Sequence, residues 1–207
     1  MDNIDEKIAK LKMQQRIEKE KELKKESDEE NLASEEKEEI TLEEVMKQIT
    51  EGSLYINNTN FKFVRKAFLN GKLEIPMPLS YFEERVNTKT NTTLINDNNG
   101  VSFTLAYVEK GAQKQSFAKF KKGMEKNFKD MELYLEWIEE GEMGEGSSKI
   151  SYGTYKTPTG RGQIHNLIFY REHKGTLIIG NYNCFDRDIK TWELLIKASI
   201  MLIKIKS

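Results

Sequence analysis

One group of residues has the side-chain types needed for nucleophilic catalysis. Cys184 supplies a thiol, His165 a base, and Asp186 a carboxylate that could orient the base. A catalytic thiol needs such a base within reach, and neighbouring strands could bring Cys184 and His165 together. One cysteine and two histidines produce a trio of this kind by chance in many chains. We therefore interpret Cys184 as a small core residue and predict no enzyme, with a cysteine-dependent hydrolase or transferase as the alternative.

Patterns for metal or phosphate binding are weak. His165 and His173 are the only histidines, and no cysteine pair or HExxH motif supports them, so we predict no metal site. The stretch EEGEMGEGSS contains Gly141, Gly144 and Gly146, but its spacing is not that of a nucleotide-binding loop. Its glutamates would repel a phosphate, and they lack the spacing of a calcium-binding EF-hand loop. We predict a flexible loop between strands here and no cofactor.

Four tyrosines are the strongest positive indication of binding. Tyr152, Tyr155, Tyr170 and Tyr182 fall in predicted strands. They would form an aromatic binding face if several of them pointed outward on one side of a sheet. Aromatic residues at alternate strand positions more often belong to a core, and this alternative stays open. We predict the four tyrosines as protein-binding residues.

The charge and hydropathy of the chain exclude several classes of partner. Residues 1–40 hold 14 acidic and 9 basic side chains, which leaves a net charge of only +4 on residues 41–207. A nucleic-acid-binding domain normally carries a pronounced basic surface, so we predict no nucleic-acid binding. The most apolar stretch, TWELLIKASIMLIKI, is shorter than the roughly 20 apolar residues that span a bilayer. Without a signal peptide or a possible internal disulfide, the chain is predicted to be cytoplasmic.

The aromatic residues divide the chain sharply. All 20 of them lie at Tyr55 or later, so residues 1–40 have little apolar area to bury. The glutamate, lysine and leucine content of this segment favours helix, and Ile4, Ile8 and Leu11 form a short apolar stripe. We predict a charged helical or disordered N-terminal arm. Oligomerisation through this arm is an open alternative.

A capped helix is predicted between the arm and the rest of the chain. Thr41 followed by Glu44 has the pattern of a capping box, and Gly52 is a typical helix terminator. This pattern predicts a linker helix over residues 41–52. Residues 53–207 then form one mixed α/β domain.

Within this domain, the apolar periods predict mostly strands. Asn70-Gly71 favours a type I′ hairpin, whose returning strand is predicted to end at Pro76 and Pro78. The other predicted elements are strands over 92–96 and 101–108, a helix over 116–131, a strand from Ile150, strands over 163–171 and 176–184, and a long terminal helix capped by Asp186 or Asp188.

The order of these elements resembles the Mog1/PsbP-like fold over residues 61–205. Two stretches carry the resemblance: Leu73-Glu74-Ile75-Pro76 before Tyr81-Phe82-Glu83, and Leu177-Ile178-Ile179-Gly180 before Cys184 and Trp192. The resemblance implies an α+β fold, with an antiparallel sheet flanked by helices in an α/β/α sandwich. Proteins of this fold include the Ran-binding protein Mog1, photosystem accessory proteins, DcrB-type lipoproteins and chaperones encoded beside secreted bacterial effectors.

Most of these relatives are binding modules, although a shared fold does not select among them. The resemblance and the missing catalytic motif predict a non-enzymatic module that binds another protein, as an adaptor or a chaperone. An association with a bacterial secretion or toxin system is a further expectation from the resemblance. The hydrolase or transferase, and a structural subunit that oligomerises through residues 1–40, remain the alternatives.

Overall fold

The chain folds into three helices and eleven strands over residues 40–108, 116–146 and 149–206, which the computed structural model describes. The arm predicted for residues 1–40 lies almost wholly outside these ranges. The helices are α1 (Leu42–Glu51), α2 (Phe117–Asp130) and α3 (Ile189–Met201). The strands are β1 (Ser53–Ile56), β2 (Thr59–Phe68), β3 (Leu73–Pro78), β4 (Glu83–Asn87), β5 (Asn91–Asn96), β6 (Val101–Val108), β7 (Glu136–Met143), β8 (Ile150–Thr159), β9 (Gly162–His173), β10 (Thr176–Phe185) and β11 (Lys204–Ile205).

The strands form two antiparallel sheets. The larger sheet has seven strands in the order β4-β5-β6-β10-β9-β8-β7, and the smaller sheet has the order β1-β2-β3-β11. Helix α2 lies on one face of the larger sheet, where the ring of Phe128 meets that of Tyr155 at 6.1 Å. Helix α3 and the smaller sheet lie on the other face, where the Tyr182 hydroxyl reaches Met77 of β3. The predicted α+β class, an antiparallel sheet flanked by helices, is confirmed.

Helix α1 begins and ends at the predicted residues. The Thr41 hydroxyl oxygen accepts from the Glu44 N–H at 3.2 Å, and the Glu44 carboxylate accepts from the Thr41 N–H at 2.9 Å. Gly52 follows the helix with φ +96°, a conformation that glycine adopts readily. The buried Val45 and Ile49 hold the helix in the fold, and α1 packs against α3. The division of the chain at residues 40 and 52 stays a prediction.

The predicted hairpin at Asn70-Gly71 is confirmed, but Pro76 was wrongly predicted to end its second strand. Strand β3 continues through Pro76 and ends at Pro78. Its backbone orientation explains this, because the Lys206 N–H donates to the Lys72 carbonyl and even-numbered residues of β3 therefore face β11. Strand β11 reaches only as far as Glu74, so the proline nitrogens face a side that no described strand covers.

The glycine-rich stretch near residue 141 was also predicted incorrectly. Strand β7 includes Glu139 to Met143, so only the residues after Met143 form a loop. Gly141 is needed within the strand because a Cβ there would lie 2.8 Å from the Tyr152 hydroxyl oxygen. Gly141 is a strand residue that another side chain approaches closely. The sequence alone does not distinguish such a glycine from one in a turn.

The terminal helix is deeply buried, as its apolar residues predicted. Trp192, Leu195 and Ile196 are each less than 5% exposed. Asp188 occupies the position before the helix, but its side chain makes no capping hydrogen bond. A short 3₁₀ turn, Asp186–Asp188, precedes the helix, and the helix ends at Met201 so that β11 can follow. The predicted carboxylate cap is therefore wrong.

Gly180 provides a test of the packing between the larger sheet and its covering layer. A Cβ at this position would lie 2.2 Å from Cε1 of the Phe169 ring on the paired strand. We expect Gly180→Ala to lower the free energy of unfolding by about 1–3 kcal/mol in guanidinium titrations, because the ring must move. Gly160→Ala is the matched control, since nothing lies within 4 Å of its Cβ. The control should change stability by less than about 0.5 kcal/mol, and equal effects would contradict the packing argument.

Candidate functional site

The fold brings the predicted catalytic trio together. Cys184 and His165 are direct cross-strand partners in the β9–β10 pair. Asp186 begins the turn after β10, and its Oδ1 lies 3.8 Å from Nδ1 of His165. The three residues are thus neighbours, as the cysteine-dependent hypothesis requires.

The environment of Cys184 opposes nucleophilic chemistry. The residue is fully buried, and burial together with nearby carboxylates raises the pKa of its thiol from 9.0 to about 12. Burial is the larger cause, and Asp188, Asp186 and Glu193 contribute because nearby negative charges disfavour a thiolate. A reactive cysteine needs the opposite surroundings, with positive charge and solvent access.

His165 and Asp186 do not form the hydrogen bond of a catalytic pair. Their 3.8 Å separation exceeds hydrogen-bond length, and Asp186 instead pairs with Lys156 at 2.9 Å. Neither ring nitrogen of His165 has a partner among the described residues. Burial lowers the pKa of His165, although Glu193 and Asp186 act in the opposite direction. Burial thus favours the neutral imidazole, and no described residue orients the ring.

A second polar cluster lies beside these residues and joins helix α3 to strand β7. Glu139 accepts hydrogen bonds from the Tyr152 hydroxyl at 2.5 Å and from Lys197 at 3.1 Å, and these bonds lower its pKa. Lys197 also pairs with Glu193 at 2.9 Å. Burial lowers the pKa of Lys197, but its two carboxylate partners together outweigh burial and raise it. The i, i+4 spacing of Glu193 and Lys197 is visible in the sequence, whereas the contact with Glu139 is not.

The four predicted binding tyrosines do not share a face. Tyr152 and Tyr182 point toward α3 and the smaller sheet, whereas Tyr155 and Tyr170 point toward α2. Tyr152, Tyr155 and Tyr182 are 7%, 5% and 2% exposed. Burial raises the pKa of Tyr155 to about 12. Their role in protein binding stays a prediction, and these four tyrosines do not form an exposed aromatic face.

Two open cavities lie away from the cysteine and histidine. One has a volume of about 460 Å³ and lies between residues 80–83 and residues 95–98. The other has about 310 Å³ and lies over β5, β6, β9 and β10 on the face that carries α2. Neither is lined by Cys184 or His165. Within the described ranges, no group of three or more His, Cys, Asp or Glu residues is arranged to hold a metal ion.

Four exposed apolar residues follow one another in sequence from the end of α2 into the first half of β7. We call them the α2–β7 surface: Met131, Leu133, Tyr134 and Ile138, whose exposed fractions are 59%, 53%, 63% and 51%. Ile138 occupies a bulge, because Trp137 and Glu139 pair with consecutive residues of β8. Its side chain is thereby left outside the regular pairing. The sequence did not distinguish these residues from core positions.

Comparison with known proteins identifies the fold. No protein-family model matches the chain, and no curated protein matches it. A similar solved structure is that of cyanobacterial PsbP (CyanoP) from Synechocystis sp. PCC 6803, with a TM-score of 0.56 and 12% identity over 70% of this chain and 92% of that one. The chain therefore has the Mog1/PsbP-like fold that the resemblance predicted. At this identity the similarity shows the fold alone.

Two further solved structures match over most of their length. PA94 from Pseudomonas aeruginosa has a TM-score of 0.46 and 8% identity over 70% of this chain and 98% of that one. LpqN, involved in cell envelope biogenesis of Mycobacterium tuberculosis, has a TM-score of 0.43 and 9% identity over 74% of this chain and 95% of that one.

Among the described residues, no helix is both long enough and apolar enough to cross a bilayer.

The buried thiol gives a direct chemical test. With a pKa near 12 instead of 9.0, Cys184 should hold roughly a thousandfold less thiolate near pH 8. We expect the folded chain to react with a disulfide reagent such as DTNB at least that much more slowly than the chain in guanidinium. Cys184→Ala supplies the blank in both conditions. Rapid labelling of one thiol in the folded chain would contradict the buried assignment.

The environment of His165 predicts a pH-dependent stability. Burial lowers the pKa of His165 in the folded state, so the unfolded chain takes up a proton first as the pH falls through about 6.5. The free energy of unfolding should therefore be highest above pH 7 and decrease toward pH 5. His165→Gln should flatten this slope, as measured by urea titrations across that range. His173 supplies the comparison: burial, Lys174 and Arg171 lower its pKa as well, but it is partly exposed, so solvent screens the effect. His173→Gln should therefore keep more of the slope than His165→Gln, and equal slopes in all three proteins would refute the effect.

Proposed function

We propose that this chain is a non-enzymatic protein-binding module of the adaptor or chaperone type. The observation that carries the proposal is the α2–β7 surface. Single exposed apolar residues are common on proteins, but four large ones within residues 131–138 form the kind of surface that a partner covers.

The geometry around Cys184 favours binding over the hydrolase or transferase alternative. The only thiol is buried and surrounded by carboxylates, and its neighbour His165 has no orienting hydrogen bond. A cysteine mechanism would require both features to reverse when substrate binds. The sequence-based alternative therefore loses its main support, whereas the binding hypothesis does not depend on these residues.

Tyr134 and Leu133 suit the proposed contact because they present large apolar groups from a segment whose backbone is held by a hydrogen bond. Tyr134 is 63% exposed and combines an apolar ring with a hydroxyl, a combination that is enriched at protein interfaces. The Leu133 N–H donates to the Phe128 carbonyl, which fixes the backbone of this segment at the end of α2. A fixed backbone lowers the entropy lost on binding.

The test compares capture of partners by matched variants. We expect Leu133→Ser/Tyr134→Ser to reduce the recovery of specific proteins from a native lysate by about tenfold or more, because interface anchors of this type contribute 1–2 kcal/mol or more each. Quantitative mass spectrometry of cross-linked samples would measure the recovery. The free energy of unfolding should change by less than about 0.5 kcal/mol, since both side chains are exposed.

The matched control lies on the opposite edge of the same sheet. Val86 of β4 is also exposed, at 41%, and Val86→Ser should leave capture unchanged. If both variants capture the same proteins as the wild type, the α2–β7 surface is not the binding site and the proposal loses its support.

A further inference from the structure

The larger sheet ends in two edge strands of different character. Strand β4 has five residues, whereas β7 has eight, and no described strand pairs with the outer side of either. An edge strand presents a row of backbone N–H and C=O groups that another chain can pair with. Strand β7 is therefore the longer template, and the α2–β7 surface leads into it and includes Ile138 of its first half.

The same edge is strongly acidic. Residues 131–146 contain six glutamates and no lysine or arginine. Lysines from other elements pair with three of these carboxylates: Lys121 with Glu140, Lys149 with Glu142 and Lys197 with Glu139. These lysines offset half of the six negative charges, so residues 131–146 keep a net negative charge. The Lys149–Glu142 pair is more than half exposed on both sides, so a competing cation can replace this lysine.

Resting on the proposed function, we infer that a basic, extended segment of a partner protein adds to β7 as an eighth strand and places apolar side chains on the α2–β7 surface. Backbone pairing along β7 supplies affinity in this mode of recognition, and side chains at alternate positions supply specificity. Lysine or arginine at alternate positions would face Glu140 and Glu142 on one side of the added strand.

Charge selects this partner over a second copy of the chain. Two β7 strands placed side by side would bring two sets of four glutamates together, and like charges on paired strands are destabilising. A basic segment instead gains attraction along the whole strand. This complementarity also raises the association rate and makes it depend on salt.

A merely protected edge would look different. Proteins discourage unwanted strand pairing with charges and bulges, and β7 has both. Protection gives no reason to expose Tyr134 and Ile138 beside the strand, since exposed apolar residues promote association. The charges and the bulge therefore restrict which segments can pair with β7, and the exposed apolar residues stabilise binding of a segment that fits.

Synthetic peptides test the inference on the full chain. The probe is a fluorescein-labelled eight-residue peptide in which lysine and valine alternate, and its counterpart alternates glutamate and valine. We expect the lysine peptide to bind at least about tenfold more tightly in fluorescence anisotropy, with an advantage that shrinks as salt is added. Amide hydrogen exchange in β7 should slow only with the lysine peptide.

Backbone methylation identifies strand addition. Two versions of the lysine peptide carry N-methyl groups either on every lysine or on every valine. Because alternate N–H groups of a strand point to opposite edges, one version should lose at least about tenfold in affinity and the other should bind nearly as well as the parent. Equal binding of both versions would overturn strand addition.

Charge variants of the protein complete the test. Glu140→Gln/Glu142→Gln should weaken the lysine peptide by about three- to tenfold, because two facing charges are removed. Glu83→Gln/Glu84→Gln on β4 is the matched control and should leave its affinity unchanged. Equal binding of the lysine and glutamate peptides would overturn the charge selection.

The outcomes separate this inference from the proposed function. If the lysine peptide does not bind while Leu133→Ser/Tyr134→Ser still loses captured proteins, the inference fails and the proposed function stands. If neither peptide binding nor capture responds to the variants, the proposed function fails as well. A concentration-dependent doubling of the solution mass that Ile138→Lys abolishes would overturn the inference in favour of a second copy.

Discussion

The burial of helix α3 against both sheets is the interaction on which the rest of the structure depends. The side chains of Trp192, Leu195 and Ile196 are almost fully removed from water, and each buried side chain of this size contributes roughly 1.5–3 kcal/mol. The Trp192 ring also meets those of Phe61 and Tyr81 at 5.7 and 5.2 Å. This contact joins the smaller sheet to the segment that leads into β4.

The same burial determines what chemistry the chain can perform. Cys184 and His165 lie under the start of α3, where solvent is excluded and carboxylates surround the thiol. Burial disfavours both the thiolate and the imidazolium, the two charged forms of a cysteine–histidine pair. The carboxylates disfavour the thiolate further, whereas at His165 they only partly offset burial. Packing that stabilises the fold thus removes the reactivity that the residue types suggested.

The two faces of the larger sheet differ in how completely they are covered. The face under α3 and the smaller sheet forms the closed core. On the opposite face, which α2 covers, none of the side chains of α2 is fully buried. The polypeptide that leaves α2 then passes Met131, Leu133 and Tyr134 at the surface before it enters β7. Exposed apolar area consequently gathers at one edge of the sheet, beside the glutamates of β7.

Local signals in the sequence determined the elements that depend on neighbouring residues. The capping box at Thr41, the turn at Asn70-Gly71 and the apolar period of α3 were predicted because hydrogen bonds and side-chain spacing within a few residues decide them. The order of these elements also indicated the fold class. The continuation of β3 through Pro76 and the strand at Gly141 were missed, because each depends on what lies beside the strand.

Only the tertiary structure decided the properties of the candidate sites. The sequence supplied the residue types at Cys184 and His165, but burial and surrounding charge come from helix α3 and the turn before it. The four tyrosines were divided between two faces by strand alternation and register. Ile138 lies in a bulge that only pairing with β8 creates. A sequence determines local geometry and composition, whereas accessibility and electrostatic environment arise from residues distant in the chain.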